Sequence, residues 1–403
     1  MGEDASEMGE DVGILTRSKS NIDEYFCPSG ITSKMDANDT LLTNSSEIHP
    51  AVTTDRVSVA THTFTIVVSL VTFFLGVPGN GLVIWVTAFK MKRTVNTVWF
   101  QGLALADFVF SLLLPFTVAL TILNFHWPFG TAFCKINSGV AVLTMFSSVL
   151  TLTAISLDRC ISVVLPVWSQ NHRRPRLAAL ISLALWGAAF LLSIPTFFYR
   201  DTMKYRDITR CYTNFLTSAE GDALNAITGE DYKAMLKKLI SIKDSRFKSL
   251  AIVRFVFGFL LPFLIIGASY TIIGLRLWRD RLAPSWKPFK VMIAIILAFL
   301  LCWAPHHTFI FLRLWHPPSP HLILALRVGN PLSSSLASFN SCLNPILYIC
   351  MGHNFREKVK RSCGAFLRKV LENAFVEDSM HFSATGRAKT KSMTLGDDSS
   401  TLV

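Results

Sequence analysis

A chain of 403 residues of which 51% are apolar and only 16% charged is too apolar for a soluble protein of this size, and has the balance of a helical membrane protein. The formal net charge of +12 sits in short segments between apolar stretches, so it describes membrane orientation and implies no nucleic-acid partner.

The first 60 residues carry 11 acidic and 4 basic groups. They show neither a basic n-region nor an apolar h-region, so no cleavable signal peptide is expected and the first apolar stretch must serve as the insertion signal. Asn38-Asp39-Thr40 and Asn44-Ser45-Ser46 are N-glycosylation acceptors, suited to a tail that reaches the secretory lumen. Residues 1–56 are therefore read as an extracellular, acidic, glycosylated tail.

Seven apolar stretches follow, each near or above the roughly 20 residues needed to span hydrocarbon. They lie at about 60–88, 97–123, 131–164, 176–199, 250–278, 288–315 and 322–350. The predicted fold class is an all-α seven-transmembrane helix bundle, with a membrane domain over 57–370. Segments after stretches 1, 3, 5 and 7 hold Lys90, Lys92 and Arg93, then Arg173, Arg174 and Arg176, then Arg276, Arg279, Arg281, Lys287 and Lys290, then Arg356, Lys358, Lys360, Arg361, Arg368 and Lys369. The alternate short loops, 124–130 and 316–321, contain no Lys or Arg. Because positive charge stays cytoplasmic, the N-terminus is placed outside and the C-terminus inside, in a multi-pass plasma-membrane protein.

Of eight cysteines, Cys134 opens the third stretch from outside and Cys211 lies in the second outer loop, both in an oxidising compartment, so they are expected to pair. Cys160, Cys302, Cys342 and Cys350 read as small core residues, and Cys27 is left over outside. The second outer loop, about 201–249, is unusually long for a connection, and such loops are functional or disordered. Thr228 and Asp231 resemble a capping box, followed by Tyr232, Met235, Leu236, Leu239 and Ile240 at helical spacing. The pattern predicts an amphipathic helix over about 229–242 that lies over the pocket or on the outer leaflet, or else packs on the loop itself.

After the seventh stretch, Phe355, Val359, Phe366, Leu367 and Val370 alternate with Arg and Lys, which predicts a short amphipathic helix over about 353–369 on the lipid of the inner leaflet, with Cys363 as a palmitoylation site. Residues 371–403 form a Ser/Thr-rich cytoplasmic tail with Ser379, Ser383, Thr385, Ser392, Thr394, Ser399 and Ser400 as phosphorylation sites. The terminal Thr401-Leu402-Val403 fits the carboxylate signature taken by PDZ domains.

Gly79-Asn80, Leu103-Ala104-Leu105-Ala106-Asp107, Asp158-Arg159-Cys160, Trp186, Pro262, Tyr270, Cys302-Trp303-Ala304-Pro305 and Asn344-Pro345-Ile346-Leu347-Tyr348 occur in order, each in its own stretch. Together they resemble the rhodopsin-like (class A) G-protein-coupled receptors throughout. Residues 89–100, 158–173, 199–202, 281–291 and 345–352 further resemble the chemoattractant group and, within it, the chemerin-receptor subfamily. The long outer loop departs from that subfamily and is similar to the extended loop of anaphylatoxin C3a receptors. Cys160 stands where Tyr is more usual.

The resemblance implies roles for residues that physics already marks. An ionisable group inside the bilayer is costly and points to function. Asp107 is that group, and the family implies an allosteric sodium ion held with Ser148, Asn340, Ser341 and Asn344, oxygen ligands that suit a hard cation. The other reading is a protonated carboxyl bonded to Asn80. No other cofactor or metal is expected. Arg159, paired at rest with Asp158 and released toward Tyr270 and Tyr348, would be the activation switch together with Trp303, Pro305, Asn344 and Pro345, and Pro262, Pro305 and Pro345 would allow the bends. Arg200 and Arg254 correspond to two pocket arginines that would hold the C-terminal carboxylate of a peptide or small-protein ligand, since a guanidinium fork binds carboxylate bidentately. Snorkelling to headgroups is the alternative for either. Trp303, His306, His307, Phe309, Phe146 and Trp127 would complete the ligand site. His306 and His307 are neighbours pointing about 100° apart on a helix, which is wrong for a metal pair. A receptor of this kind implies an inhibitory heterotrimeric G protein and arrestin as partners, in chemotaxis and inflammation. The competing readings are an anaphylatoxin or formyl-peptide receptor, a scavenger receptor that binds without signalling, and a transporter or membrane enzyme. Against the last stand the absence of a repeat and of any catalytic constellation.

Overall fold

Two of the long helices start earlier than the apolar stretches imply: the first begins at Ile48, inside the segment read as tail, and the fifth at Glu230. The structure, a computed structural model, describes residues 48–205, 207–217, 219–220, 230–279, 286–316 and 319–351. Helix α1 spans Ile48–Trp85 and closes in a π-helical turn at Val86–Lys90. Helix α2, Val95–Ile122, starts at a reciprocal cap: Thr97 N–H donates to Thr94 Oγ1 (3.2 Å) and Thr94 N–H to Thr97 Oγ1 (2.8 Å). This satisfies two amides that the first turn would leave orphaned. Helix α3 spans Gly130–Val164, and the short α4, Pro166–His172, and α5, Pro175–Tyr199, both open with Pro at the first turn, where no amide is needed.

Two strands follow, β1 (Arg200–Tyr205) and β2 (Ile208–Thr213), paired antiparallel from Arg200↔Thr213 to Tyr205↔Ile208. The fifth span is α6, Glu230–Phe255, running through a π-helical turn at Val256–Leu260 into α7, Leu261–Arg279. Helix α8 spans Trp286–Trp315 and α9 Pro320–Met351. Six spans among the described residues are long and apolar enough to cross a membrane. In α9 the buried Ser333, Ser335, Asn340, Ser341 and Asn344 give the seventh helix a polar inner face, which lowers its mean hydropathy. The seven-helix bundle expected from the sequence is thus present.

Inside a bilayer, helices do not associate by the hydrophobic effect and instead need close packing and polar contacts. Both are seen where α1 meets α2 and α9. A Cβ at Gly76 would sit 2.4 Å from Ser111 Oγ, and one at Gly79 3.0 Å from Pro345. Asn80 Nδ2 donates to Gly76 O (2.9 Å) and to Ser341 O (3.0 Å), tying α1 to α9. Helix α3 packs against α2, α5 and α7 at the centre.

The structure corrects the reading of the long outer loop. The periodic segment beginning near 229 is helical, but it is the outer part of the fifth span and not a separate helix laid over the pocket or the leaflet. At 1.5 Å per residue the unbroken run from Glu230 to Arg279 is about 75 Å long, against a hydrocarbon thickness of about 30 Å, so α6 projects well outside the membrane. The hairpin β1–β2, which the alternation did not suggest, fills the rest of the described loop. The disulfide Cys134–Cys211 (Cα–Cα 5.8 Å) pins β2 to the start of α3. Trp127 N–H donates to Thr209 O (2.7 Å) and Thr209 N–H to His126 Nδ1 (3.1 Å), clamping the hairpin from the first outer loop.

The chain divides into the units Met1–Leu347 and Tyr348–Val403, and of the second only Tyr348–Met351 is described, as the end of α9. Asn38, Asn44, Cys27, Thr228, Cys363, the surface helix near 353–369 and the seven tail hydroxyls all lie outside the described residues.

Candidate functional site

At mid-membrane Asp107 is 1% exposed and accepts hydrogen bonds from Ser148 Oγ (3.0 Å) and Asn344 Nδ2 (2.7 Å), with a further one from Ser341. Asn80 Nδ2 donates to Gly76 O and Ser341 O, and its Oδ1 accepts no hydrogen bond among the described residues, so a carboxyl paired to Asn80 is not what the structure shows. A cavity of about 20 Å3 touches Asp107, Thr144, Ser148, Asn340, Ser341 and Trp303. A void above roughly 10–15 Å3 can hold one water-sized occupant, so this space suits a small ion and not a peptide. One carboxylate ringed by hydroxyl and amide oxygens is a donor set that fits a hard monovalent cation.

At the cytoplasmic end, Asp158 is held by Arg173 in a bidentate pair, Nε to Oδ1 (2.8 Å) and Nη2 to Oδ2 (2.7 Å), and not by its neighbour Arg159. Arg159 Nη2 instead donates to Asn96 Oδ1 (2.7 Å) in the first turn of α2, an oxygen that also accepts from Arg173. Tyr270 is hydrogen-bonded to Ser156 and lies within electrostatic reach of Arg159. The physical reason for the difference is steric: adjacent residues on a helix diverge by about 100°, whereas a planar guanidinium from the next loop meets a carboxylate face-on. Asn96 and Arg173 are therefore the side-chain partners of Arg159 and Asp158 that motif reading missed.

At the outer end, Arg200 caps α5 as the first residue of β1, and Arg254 lies in the last turn of α6, which ends at Phe255 just before the π-helical turn. That turn precedes Pro262, whose ring clashes with the carbonyl four residues back and so favours such a bulge. Arg254 Nη2 donates to Thr196 Oγ1 on α5 (2.9 Å), while its Nε is buried without a partner. The charge of Arg200 is close enough to repel that of Arg254, and among the described residues no carboxylate pairs with Arg254. His306 and His307 also feel the Arg254 charge. His307 is 5% exposed, its ring set against Phe255 (5.4 Å), Phe259 (5.1 Å) and Trp303 (6.3 Å).

The structure brings Arg200, Arg254, Trp303, His306 and His307 together, but not the other aromatic candidates. Phe146 is fully buried beneath Gly258. Phe309 is wedged into α9, where a Cβ at Gly329 would lie 2.1 Å from its ring. Trp127 is buried against Phe129 and Phe133 and donates to Gly130 O (2.9 Å), which makes it a clamp for the outer loops.

Seven helices around a polar centre, a disulfide-pinned outer hairpin, and adjacent Asp158 and Arg159 at the inner end of α3, each held by a partner from another element, are the layout of a membrane receptor. The sequence matches the 7 transmembrane receptor (rhodopsin family) over residues 79–228 and 237–348, and the chain belongs to that family. It is accordingly a multi-pass plasma-membrane receptor and not an enzyme. Among known proteins it is similar to chemerin-like receptor 1 of Sus scrofa, 45% identical over 79% of this chain and 84% of that protein. The corresponding Homo sapiens protein is 44% identical over 80% and 83%. The C3a anaphylatoxin chemotactic receptor of Danio rerio is 41% identical over 88% and 85%.

Proposed function

We propose that this receptor recognises a chemoattractant peptide or small protein of the chemerin type, holding its free C-terminal carboxylate between Arg200 and Arg254, and signals through an inhibitory heterotrimeric G protein and arrestin. The observation that carries this reading is the pair of neighbouring guanidinium groups with no carboxylate on Arg254. Two like charges in a partly desolvated site raise the free energy of the empty state, and a bound anion relieves it. The relatives' names supply the ligand class. A second reading, a complement-fragment ligand, is favoured by the Danio rerio relative, whose similarity extends over more of this chain.

In the same proposal Asp107, Ser148, Asn340, Ser341 and Asn344 hold a sodium ion that supplies a positive charge to the buried carboxylate. The switch is Arg159, which exchanges Asn96 for the G protein, while Arg173 keeps Asp158 occupied. The helix bends at Pro262, Pro305 and Pro345 allow two arrangements for a ligand to bias.

The test is a double-mutant cycle with a synthetic C-terminal peptide of chemerin, as free acid and as C-terminal amide. Removing one partner of a buried charged pair costs about 2–5 kcal/mol, which is about 30- to 4,000-fold in affinity. Arg254→Ala and amidation should each weaken binding by that order, while amidation adds little on the Arg254→Ala background, because groups in contact couple. Simple additivity would place the carboxylate elsewhere.

A further inference from the structure

The anion site contains one more unpaired recognition group than the arginine pair needs. His307 is almost wholly buried, yet its Nε2 has no hydrogen-bond partner, and the same is true of Arg254 Nε. Burying a polar nitrogen without a partner is costly, and native structures keep few of them. The two nitrogens lie on helices α6 and α8, which pack against each other, and the Arg254 charge reaches His307. The surroundings narrow what could satisfy them. Phe255, Phe259 and Trp303 enclose the imidazole with ring surface that offers no acceptor. Thr196 is already engaged with Arg254 Nη2. The charged group felt at His307 is the Arg254 guanidinium, so the local field is positive and favours an anion. His306 is differently placed, edge-on to Trp303 (6.0 Å) with Nδ1 3.5 Å from Ser334 Oγ on α9.

We propose that His307 is a specificity-determining residue: its Nε2–H and Arg254 Nε–H each donate to one oxygen of the ligand's terminal carboxylate. This deepens the carboxylate reading given above and rests on it. An imidazole can supply Nε2–H as a neutral tautomer or as imidazolium, and an aromatic enclosure holds that donor in one direction. A terminal amide in this position would keep one acceptor oxygen and turn its NH2 toward the other of the two donors. The site thus rejects amidated ligands by leaving a buried donor unsatisfied, a stronger discrimination than shape alone provides.

The experiment measures binding of the chemerin C-terminal peptide, free acid and amide, to the full-length receptor on intact cells. The variants are His307→Met, which keeps volume and loses the donor, and His307→Gln, which keeps a donor near the Nε2 position. The quantity read is the ratio of acid to amide affinity, which does not depend on how much receptor reaches the surface. We expect the unmutated receptor to prefer the acid by tenfold or more, His307→Met to lose about tenfold of acid affinity with little change for the amide, and His307→Gln to retain the preference. If the unmutated receptor does not distinguish acid from amide, the carboxylate reading falls and this inference with it. If it does distinguish them and His307→Met leaves the ratio intact, or weakens both peptides equally, His307 is only packing and this inference alone is overturned.

Discussion

Asp107 carries the clearest physical argument of any single residue here, because it is a buried carboxylate whose two oxygens each accept a side-chain hydrogen bond within an otherwise apolar bundle. Ser148 and Asn344 bind its two oxygens from α3 and α9, so the group joins three helices at one point. A cation added to the adjoining cavity would neutralise the carboxylate and hold those helices in the arrangement that contains the cavity. Asp107→Asn keeps the size and loses the charge. It should therefore abolish the dependence of agonist affinity on sodium, measured by exchanging sodium chloride for an organic-cation chloride at constant ionic strength. Indifference to sodium in the unmutated receptor would remove the ion from this site. The residue itself was legible from sequence, since an acid in a long apolar run stands out. Its partners were legible only through resemblance, because Ser and Asn in a membrane helix carry no mark of which side they face. The Asp158–Arg173 pair was not legible at all: the carboxylate's nearest cation along the chain is Arg159, and only folding of the α3–α4 turn brings Arg173 to it.

At the scale of elements, span positions were readable because hydrophobic length is a property of composition, whereas phase was not. A π-helical turn adds a residue to the repeat, so counting at 3.6 residues per turn from Tyr270 outward misplaces Arg254 around the helix. The hairpin was missed because its strands are short and mix Lys, Arg and Asp with Thr and Tyr, so the alternation is weak; disulfide and loop hydrogen bonds hold it instead. The projecting part of α6 is tied to the loop by Arg246, which donates to Phe215 O (2.6 Å) and to both oxygens of Glu220 (2.9 Å each). The Arg246 hydrogen bonds hold the Glu220 carboxyl well below its ordinary range, at about 2. A depressed carboxylate pKa gives stability that is present above the unfolded value and is lost only as pH falls through the folded one. The tie should therefore persist unchanged between pH 7.4 and 5. Hydrogen exchange over 215–220, corrected for the intrinsic pH effect, is expected to show equal protection at both values in the unmutated receptor and a loss of protection in Arg246→Ala. Increased exchange at pH 5 without the mutation would show that the pair does not control this segment.

On the scale of the whole molecule, charge is sorted into three zones: an acidic outer tail, a bundle whose inner ends are basic, and a cytoplasmic tail over 371–403 with three basic and five acidic residues. The last zone is nearly balanced, so modification of its hydroxyls would set its charge. Each phosphate adds about −1.5 to −2 at neutral pH. Phosphorylation of Ser379, Ser383, Thr385, Ser392, Thr394, Ser399 and Ser400 would therefore convert a weakly acidic tail into a strongly anionic one with about −10 or more of added charge. In the function proposed here that charge recruits arrestin to the active receptor and ends G-protein coupling. Truncation after Glu372 removes all seven hydroxyls and leaves the basic segment 356–369 in place. It should leave agonist affinity and the initial rate of nucleotide exchange within about twofold, cut arrestin recruitment several-fold, and prolong the signal after agonist addition; a charge-restoring variant with Asp at the seven positions should recover part of the recruitment, because a carboxylate supplies one negative charge where a phosphate supplies nearly two. Arrestin recruitment that is undiminished by the truncation would locate its docking charge elsewhere on the cytoplasmic face.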